Sequence, residues 1–328
     1  MTRCGLYEFQ YELHIIFNLL DKMATFSEQF GTILLGNDKV AKIHLLQGWN
    51  IIAPNKQCVQ GHRMSLVNRQ NGDGLRWMCT TQGCRETKGL RVGTIFAQFT
   101  KTDIGRLSYA IYLWSEKVIG VRIAEITGLS EKTVTKLRQL LRQCCSNHLA
   151  RNPIRINGGG GFNVEIDESM FHHKQRAHVG RVARREVWVF GLVDTHYVPA
   201  RPYLEIVPNR QRVTLIPIIN QHLTPGIANI TIHSDQWAAY RNLPRFVPNC
   251  GTHNTVNHRR NFVDPATGAH TQSIESCWNR VKYELKKAKG CRREHLQSHL
   301  DEFMWRDWYG GNDIFRSIVN CINIDYPQ

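Results

Sequence analysis

The sequence predicts an α/β fold for its larger half, preceded by a small Cys/His module and a helical region, and three observations predict it. A run of four glycines, Gly158, Gly159, Gly160 and Gly161, separates helical patterning upstream from strand patterning downstream. The downstream part reads strand, strand, strand, helix, strand, an order that mixes a sheet with covering helices. Finally, Asp167 and Asp235 close two strand-like runs, while Glu275 opens an amphipathic helix. A carboxylate at a strand end is poorly suited to a core and well suited to a metal. Three of them together would hold divalent cations, which support phosphoryl transfer.

Composition narrows the partners. Lys and Arg number 42 against 27 Asp and Glu, a formal charge of +15, which favours a polyanion and most often a nucleic acid. Ten cysteines are present. The opening MTRCGLYEFQYELHIIFNLLDK has Glu8, Glu12 and His14 where a signal peptide needs an apolar core. No apolar run approaches the ~20 residues that span a bilayer. The expectation is a soluble, intracellular chain without a membrane partner, its cysteines reduced, metal-bound or buried.

Residues 1–45 carry helical periodicity in Phe9, Leu13, Phe17 and Leu20. Residues 46–100 hold two ligand pairs, Cys58 with His62 (C-x3-H) and Cys79 with Cys84 (C-x4-C). Between the pairs, Asn71, Gly72, Asp73 and Gly74 form a hairpin tip. Four N/S ligands on the two sides of a hairpin suit a closed, structural Zn²⁺ site, a zinc-ribbon-like module. Residues 101–150 read as a helix-turn-helix. Ile123, Ala124 and Ile126 end one helix, Gly128 turns, Ser130 caps, and Val134, Leu137 and Leu141 stripe the next. That second helix is expected to expose Lys132, Thr133, Lys136, Arg138 and Arg142, a face able to enter a major groove; Lys117 and Arg122 flank it. Residues 151–162, with Pro153 and the glycines, make a linker, and 163–328 form the α/β domain.

In that domain FNVEID, EVWVFGLVD and RPYLEIVP are strands, LIPIINQHL a helix, ITIHSD a strand and WAAYRNL a short helix. TQSIESCWNRVKYELKKA is a long helix with its buried stripe at Ile274, Trp278, Val281 and Leu285, and EHLQSHLDEFMWRDWYG is another helix. Glu165 shares a strand face with Asp167; it and Glu168 compete with Asp167 as the first ligand. Asp194 also ends a strand and is a reserve candidate. Lys282 lies two turns beyond Glu275 on the same helix face, able to reach a phosphate. His253, His258 and His270 read as phosphate contacts or as packing.

The segment from Gly161 to about Tyr309 resembles the DDE transposases of the Merlin superfamily and their bacterial insertion-sequence relatives. VEIDESMFHHK, WVFGLVD, IHSDQWAAYRNL and VNHRRNFVDPATGAHTQSIESCWNRVK carry the resemblance. It implies an RNase H-like core whose acids fall on Asp167, Asp235 and Glu275, with the following basic residue on Lys282. Gln272 is an alternative contributor near the third position, and Lys174 and Arg176 supply the basic stretch after the first motif. The resemblance further implies Mg²⁺ or Mn²⁺, DNA as partner, and nicking by water followed by strand transfer from a 3′-hydroxyl. The cut-and-paste reaction joins two DNA ends, so at least a homodimer is expected, in the nucleus if the host is eukaryotic. The alternative is a domesticated, transposase-derived protein that keeps zinc-dependent DNA binding and has lost cutting.

Overall fold

The computed structural model describes residues 25–157, 161–171, 187–257 and 260–328. The periodic residues Phe9, Leu13, Phe17 and Leu20, most of the glycine run, Lys174, Arg176 and His258 lie outside them. The chain forms two compact units, Met1–Cys144 with Asp313–Gln328, and Cys145–Asn312.

The first unit contains helix α1 (Lys39–Gly48), started by Asp38, whose carboxylate accepts the Val40 and Ala41 amides at 2.9 and 3.0 Å. A four-stranded antiparallel sheet follows: β1 (Lys56–Gln57), β2 (Arg63–Asn68), β3 (Leu75–Cys79) and β4 (Thr87–Lys88), in that order. The β2–β3 hairpin turns through Gly72 and Gly74, both at positive φ. Next come α2 (Ile104–Ser115), almost wholly buried, α3 (Gly120–Thr127) and α4 (Glu131–Arg151), of which the residues up to Cys144 belong to this unit.

The last helix, α8 (Ile314–Asp325), also belongs to this unit rather than to the α/β domain at 163–328 in which the sequence had included it. The reason is aromatic packing. The Phe26 ring stacks on Tyr112 with centroids 3.6 Å apart, and Phe315 meets Phe26, Trp49 and Tyr112 edge-on at 5.2, 5.2 and 5.7 Å.

In the second unit, β5 (Asn163–Phe171), β6 (Val187–Asp194), β7 (Arg201–Val207), β8 (Ile230–Asp235) and β9 (Cys250–Val256) form one mixed sheet ordered β7-β6-β5-β8-β9. The first three pair antiparallel; β8 and β9 join parallel to β5. Helix α5 (Arg212–His222) makes the crossover between β7 and β8, and its Leu215 and Ile219 enter the core. Helices α6 (Gln272–Lys287) and α7 (Arg293–Tyr309) cover the sheet over β5, β6 and β7. Ile274, Trp278 and Val281 of the expected α6 stripe are buried. WAAYRNL resolves into two short 3₁₀ turns. Among the described residues no helix is long and apolar enough to cross a membrane.

Candidate metal and nucleic-acid sites

β5 does not stop at Asp167. It continues to Phe171 because its residues through that position stay paired with β6, so Asp167 is mid-strand rather than at a strand end. What stops there is the other neighbour: the parallel pairing with β8 ends at Glu165↔His233. Two residues further along each strand, Asp167 and Asp235 stand at the same level on adjacent strands, on one face. Asp235 is the last residue of β8, and its Oδ1 accepts the Trp237 amide at 2.9 Å, fixing the turn that leaves the sheet.

Glu275 sits in the first turn of α6. The Thr271 hydroxyl lies 3.4 Å from its Oε1. Trp278, one turn on, donates its indole N–H to Asp167 Oδ2 at 3.0 Å. Burial first, and then the charges of Asp235 and Glu275, push the Asp167 carboxyl up to about 6, while the Trp278 bond opposes them. Three carboxylates therefore repel one another across this face, a charge excess that a cation would relieve. Among the described residues, the Cys/His group alone brings three or more ligand atoms all within 4.8 Å of one another; the acids do not close that far. Lys282, exposed on α6, holds its ammonium 5.5 Å from the centre of the Phe171 ring, at the far end of β5.

The other acids have partners of their own. Glu168 faces the opposite side of β5, accepts the Tyr240 hydroxyl, and has Arg210 at 3.9 Å. Burial first, and then the charges of Asp167 and Asp235, push its carboxyl up to about 7, opposed by the Tyr240 bond and Arg210. Arg210 stacks between Trp188 and Trp237, 4.0 and 4.1 Å from the ring centres. Asp194 pairs with Val164, towards the other end of β5, and accepts the Asn157 and His196 amides at 3.0 Å each, so it serves as a turn anchor. Glu165 is buried against the start of α6. His253 meets the Ser234 hydroxyl at 2.9 Å and His270 approaches Glu165, both inside the fold's own bonding. Gln272 is exposed.

Raised carboxyls have a definite sign. Asp167 and Glu168 bind protons more tightly folded than unfolded, so each contributes stability at low pH that is lost as pH rises through about 6 and about 7. In chelator, thermal melting is expected to show this pair lowering the melting temperature as pH rises from about 4 to about 7, with little further change from them above that.

Gly191 pairs with Asp167 across β5–β6. A Cβ there would lie 2.7 and 2.9 Å from Trp278 ring atoms and 3.0 Å from Leu204. Only glycine lets the indole reach Asp167. Gly191→Ala is expected to cost about 1–3 kcal/mol, read by urea unfolding, because it overpacks this contact. Sequence reading had Trp278 as core only; the stripe signalled its burial but not its hydrogen bond.

The Cys/His group is geometrically tight. Cys58, His62, Cys79 and Cys84 offer ligand atoms all within 4.8 Å. Cys58 Sγ lies 3.8 Å from Cys84 Sγ, and Cys79 Sγ lies 3.8 Å from His62 Nδ1. Tetrahedral ligands at the ~2.3 Å of a Zn–S bond stand about 3.8 Å apart, so the set fits Zn²⁺. The Cys58 sulfur also accepts the His62 amide at 3.3 Å. Hydrogen bonding, led by the Thr81 side chain, pulls the Cys79 thiol down to about 6, a thiolate at neutral pH.

In the helical region, α3 ends at Gly128 in the left-handed conformation, and Ser130 Oγ accepts the Thr133 amide at 3.1 Å to begin α4. Lys132 is exposed and Thr133 and Arg138 half-exposed. Lys136 leans over the Phe99 ring at 5.4 Å. Arg142, expected on the exposed face, is only 5% exposed: it falls beside Leu141 and Cys145 on the buried side of α4.

Part of this chain is similar to known proteins. Residues 158–307 match the family model of the ISXO2-like transposase domain. The match is a similarity over that segment, in line with the insertion-sequence resemblance. A curated relative, an uncharacterized transposase-like protein of Haemophilus influenzae, is 29% identical over 106 residues, 32% of this chain and 78% of the relative. Among solved structures, a chain of the simian T-cell lymphotropic virus intasome in complex with PP2A regulatory subunit B56 gamma gives a TM-score of 0.30 at 12% identity, covering 62% of this chain and 69% of that one. A pre-cleavage Mos1 transpososome gives 0.29 at 11% identity, covering 67% and 79%. Scores this low do not define a shared fold.

Proposed function

We propose that this chain is a cut-and-paste DNA transposase with an RNase H-like catalytic core. The observation that carries the reading is the parallel β5–β8 register, Glu165↔His233, which brings Asp167 and Asp235 level on neighbouring strands. The order β7-β6-β5-β8-β9, three antiparallel strands continued by two parallel ones, supports the RNase H-like reading. Asp167 and Asp235 would hold Mg²⁺ or Mn²⁺, with Glu275 completing the set. Bound divalent ions supply activation of the attacking oxygen and stabilisation of the leaving one. Trp278 orients Asp167, and Lys282 stands ready for a DNA phosphate.

Cys58, His62, Cys79 and Cys84 would carry a structural Zn²⁺ in a ribbon-like module. Helices α3 and α4 would then act as a helix-turn-helix, with Lys132, Thr133, Lys136 and Arg138 towards terminal-repeat DNA. Joining two ends calls for a homodimer or larger assembly.

The test uses duplexes taken from the DNA that flanks the coding sequence. Incubated with the full chain and Mg²⁺, they should yield cleaved ends and joined products. Asp235→Ala should retain binding and lose both products. Binding by the unaltered chain with no metal-dependent cleavage would instead favour the domesticated, DNA-binding-only reading.

A further inference from the structure

We propose that Glu165 is a positioning residue: its buried carboxylate caps the N-terminus of α6 and thereby holds Glu275 towards Asp167 and Asp235. The proposal rests on the metal-dependent reading of those three acids.

The first amides of a helix have no carbonyl of their own helix to bond, and a nearby Ser, Thr or Asp usually serves them. Here Thr271 stands at the cap position and makes no side-chain cap bond. The partner comes from the sheet, 108 residues upstream of Ser273. Glu165 Oε2 accepts the Ser273 and Ile274 amides at 2.8 and 3.0 Å. Its Oε1 accepts the Ser273 hydroxyl at 2.9 Å and lies 3.2 Å from His270 Nδ1. The residue is 0% exposed.

Two consequences follow from these contacts. A carboxylate has about four acceptor positions; three are taken by hydrogen bonds and His270 Nδ1 stands 3.2 Å from Oε1, so the group is committed to the helix end rather than turned to the other acids as a first ligand. A cap drawn from the strand also ties helix to sheet, whereas a local cap ties the helix only to itself. Asp167 lies two residues along β5 on the same face, and Glu275 two residues along α6 from Ser273. The Glu165 side chain is thus a strut between the elements that bear the two acids.

Full-length Glu165→Gln, Glu165→Ala and Glu275→Gln are compared by two measurements. One is amide hydrogen exchange across residues 272–276 in chelator; the other is Mn²⁺ affinity by calorimetry. Glu165→Ala should speed exchange in the first turn of α6 and weaken Mn²⁺ by about tenfold or more, the usual effect of losing a group that orients a ligand. Glu165→Gln should stay near the unaltered chain in both, because its carbonyl replaces Oε2 as acceptor of the Ser273 and Ile274 amides while its amide donates to the Ser273 hydroxyl. If Glu165→Gln loses Mn²⁺ as fully as Glu275→Gln, Glu165 is a ligand and the proposal falls; that comparison stands even where Glu165→Ala does not fold. Unchanged exchange in Glu165→Ala also overturns it. Absence of Mn²⁺ binding by the unaltered chain sinks the metal reading instead, and the exchange arm still decides the cap.

Discussion

Asp167→Asn is expected to abolish divalent-metal-dependent DNA cleavage while leaving the domain folded. Charge stabilisation by bound metal is worth several kcal/mol in such a reaction. At about 1.4 kcal/mol per decade, its loss is on the order of 10³-fold in rate. The fold survives because Asn keeps an oxygen for the Trp278 indole, 3.0 Å away, and adds no volume beside Gly191. A second signature follows from the charges. Asp167 is raised to about 6 by burial and by the neighbouring Asp235 and Glu275, so near neutral pH its ionised form strains the metal-free protein. Removing that charge should raise the melting temperature in chelator and remove most of the gain that Mn²⁺ gives the unaltered chain. Cleavage within tenfold of the unaltered chain would remove Asp167 from the ligand set.

That pair of signatures separates catalysis from folding, and it depends on a distinction the amino-acid string carries only in part. The alternation in NVEID put Glu165 and Asp167 on one face, and both reach α6, Glu165 at Ser273 and Asp167 at Trp278. Which of the two would bind metal and which would cap a helix was not readable, because the answer lies in Ser273 and Ile274, more than a hundred residues away. The end of the strand was misjudged for a related reason. ESMF carries little apolar alternation, yet β6 pairs with it as far as Phe171. β9 was missed altogether: CGTHNTV is largely polar, and an edge strand with half-exposed residues sends no clear period-2 signal. α8 has strong apolar spacing at Ile314, Ile318, Cys321 and Ile322, but its home was hidden, since contacts distant in sequence, Phe315 with Phe26, Trp49 and Tyr112, tie it to the first unit. What was legible followed single elements. The α6 stripe, the Ser130 cap, the Gly128 turn and the Gly72–Gly74 hairpin tip each depend on local chemistry, and each was found where the spacing put it.

Removing zinc is expected to unfold residues 56–88 while sparing the mixed sheet of the second unit. β1 and β4 are two residues long, and a sheet of such strands cannot bury enough apolar surface to stand by itself. Its interior is little more than Met64, Leu75 and Trp77 with the cysteines. Structural Zn²⁺ contributes on the order of 10 kcal/mol to small modules, comparable with the whole stability of an ordinary domain, so this module has no reserve without it. Cys79→Ala should act like chelation, because it removes the thiolate that faces His62 at 3.8 Å. Mass spectrometry of the metal should report one Zn²⁺ per chain, and hydrogen exchange should show protection lost from β2 and β3 but retained in β5, β6 and β8. DNA binding should fall with it if the ribbon orients α3 and α4. A module that keeps its protection after the metal has left would mean that the four groups are an ordinary thiol and imidazole core, and the 3.8 Å spacings a coincidence of packing.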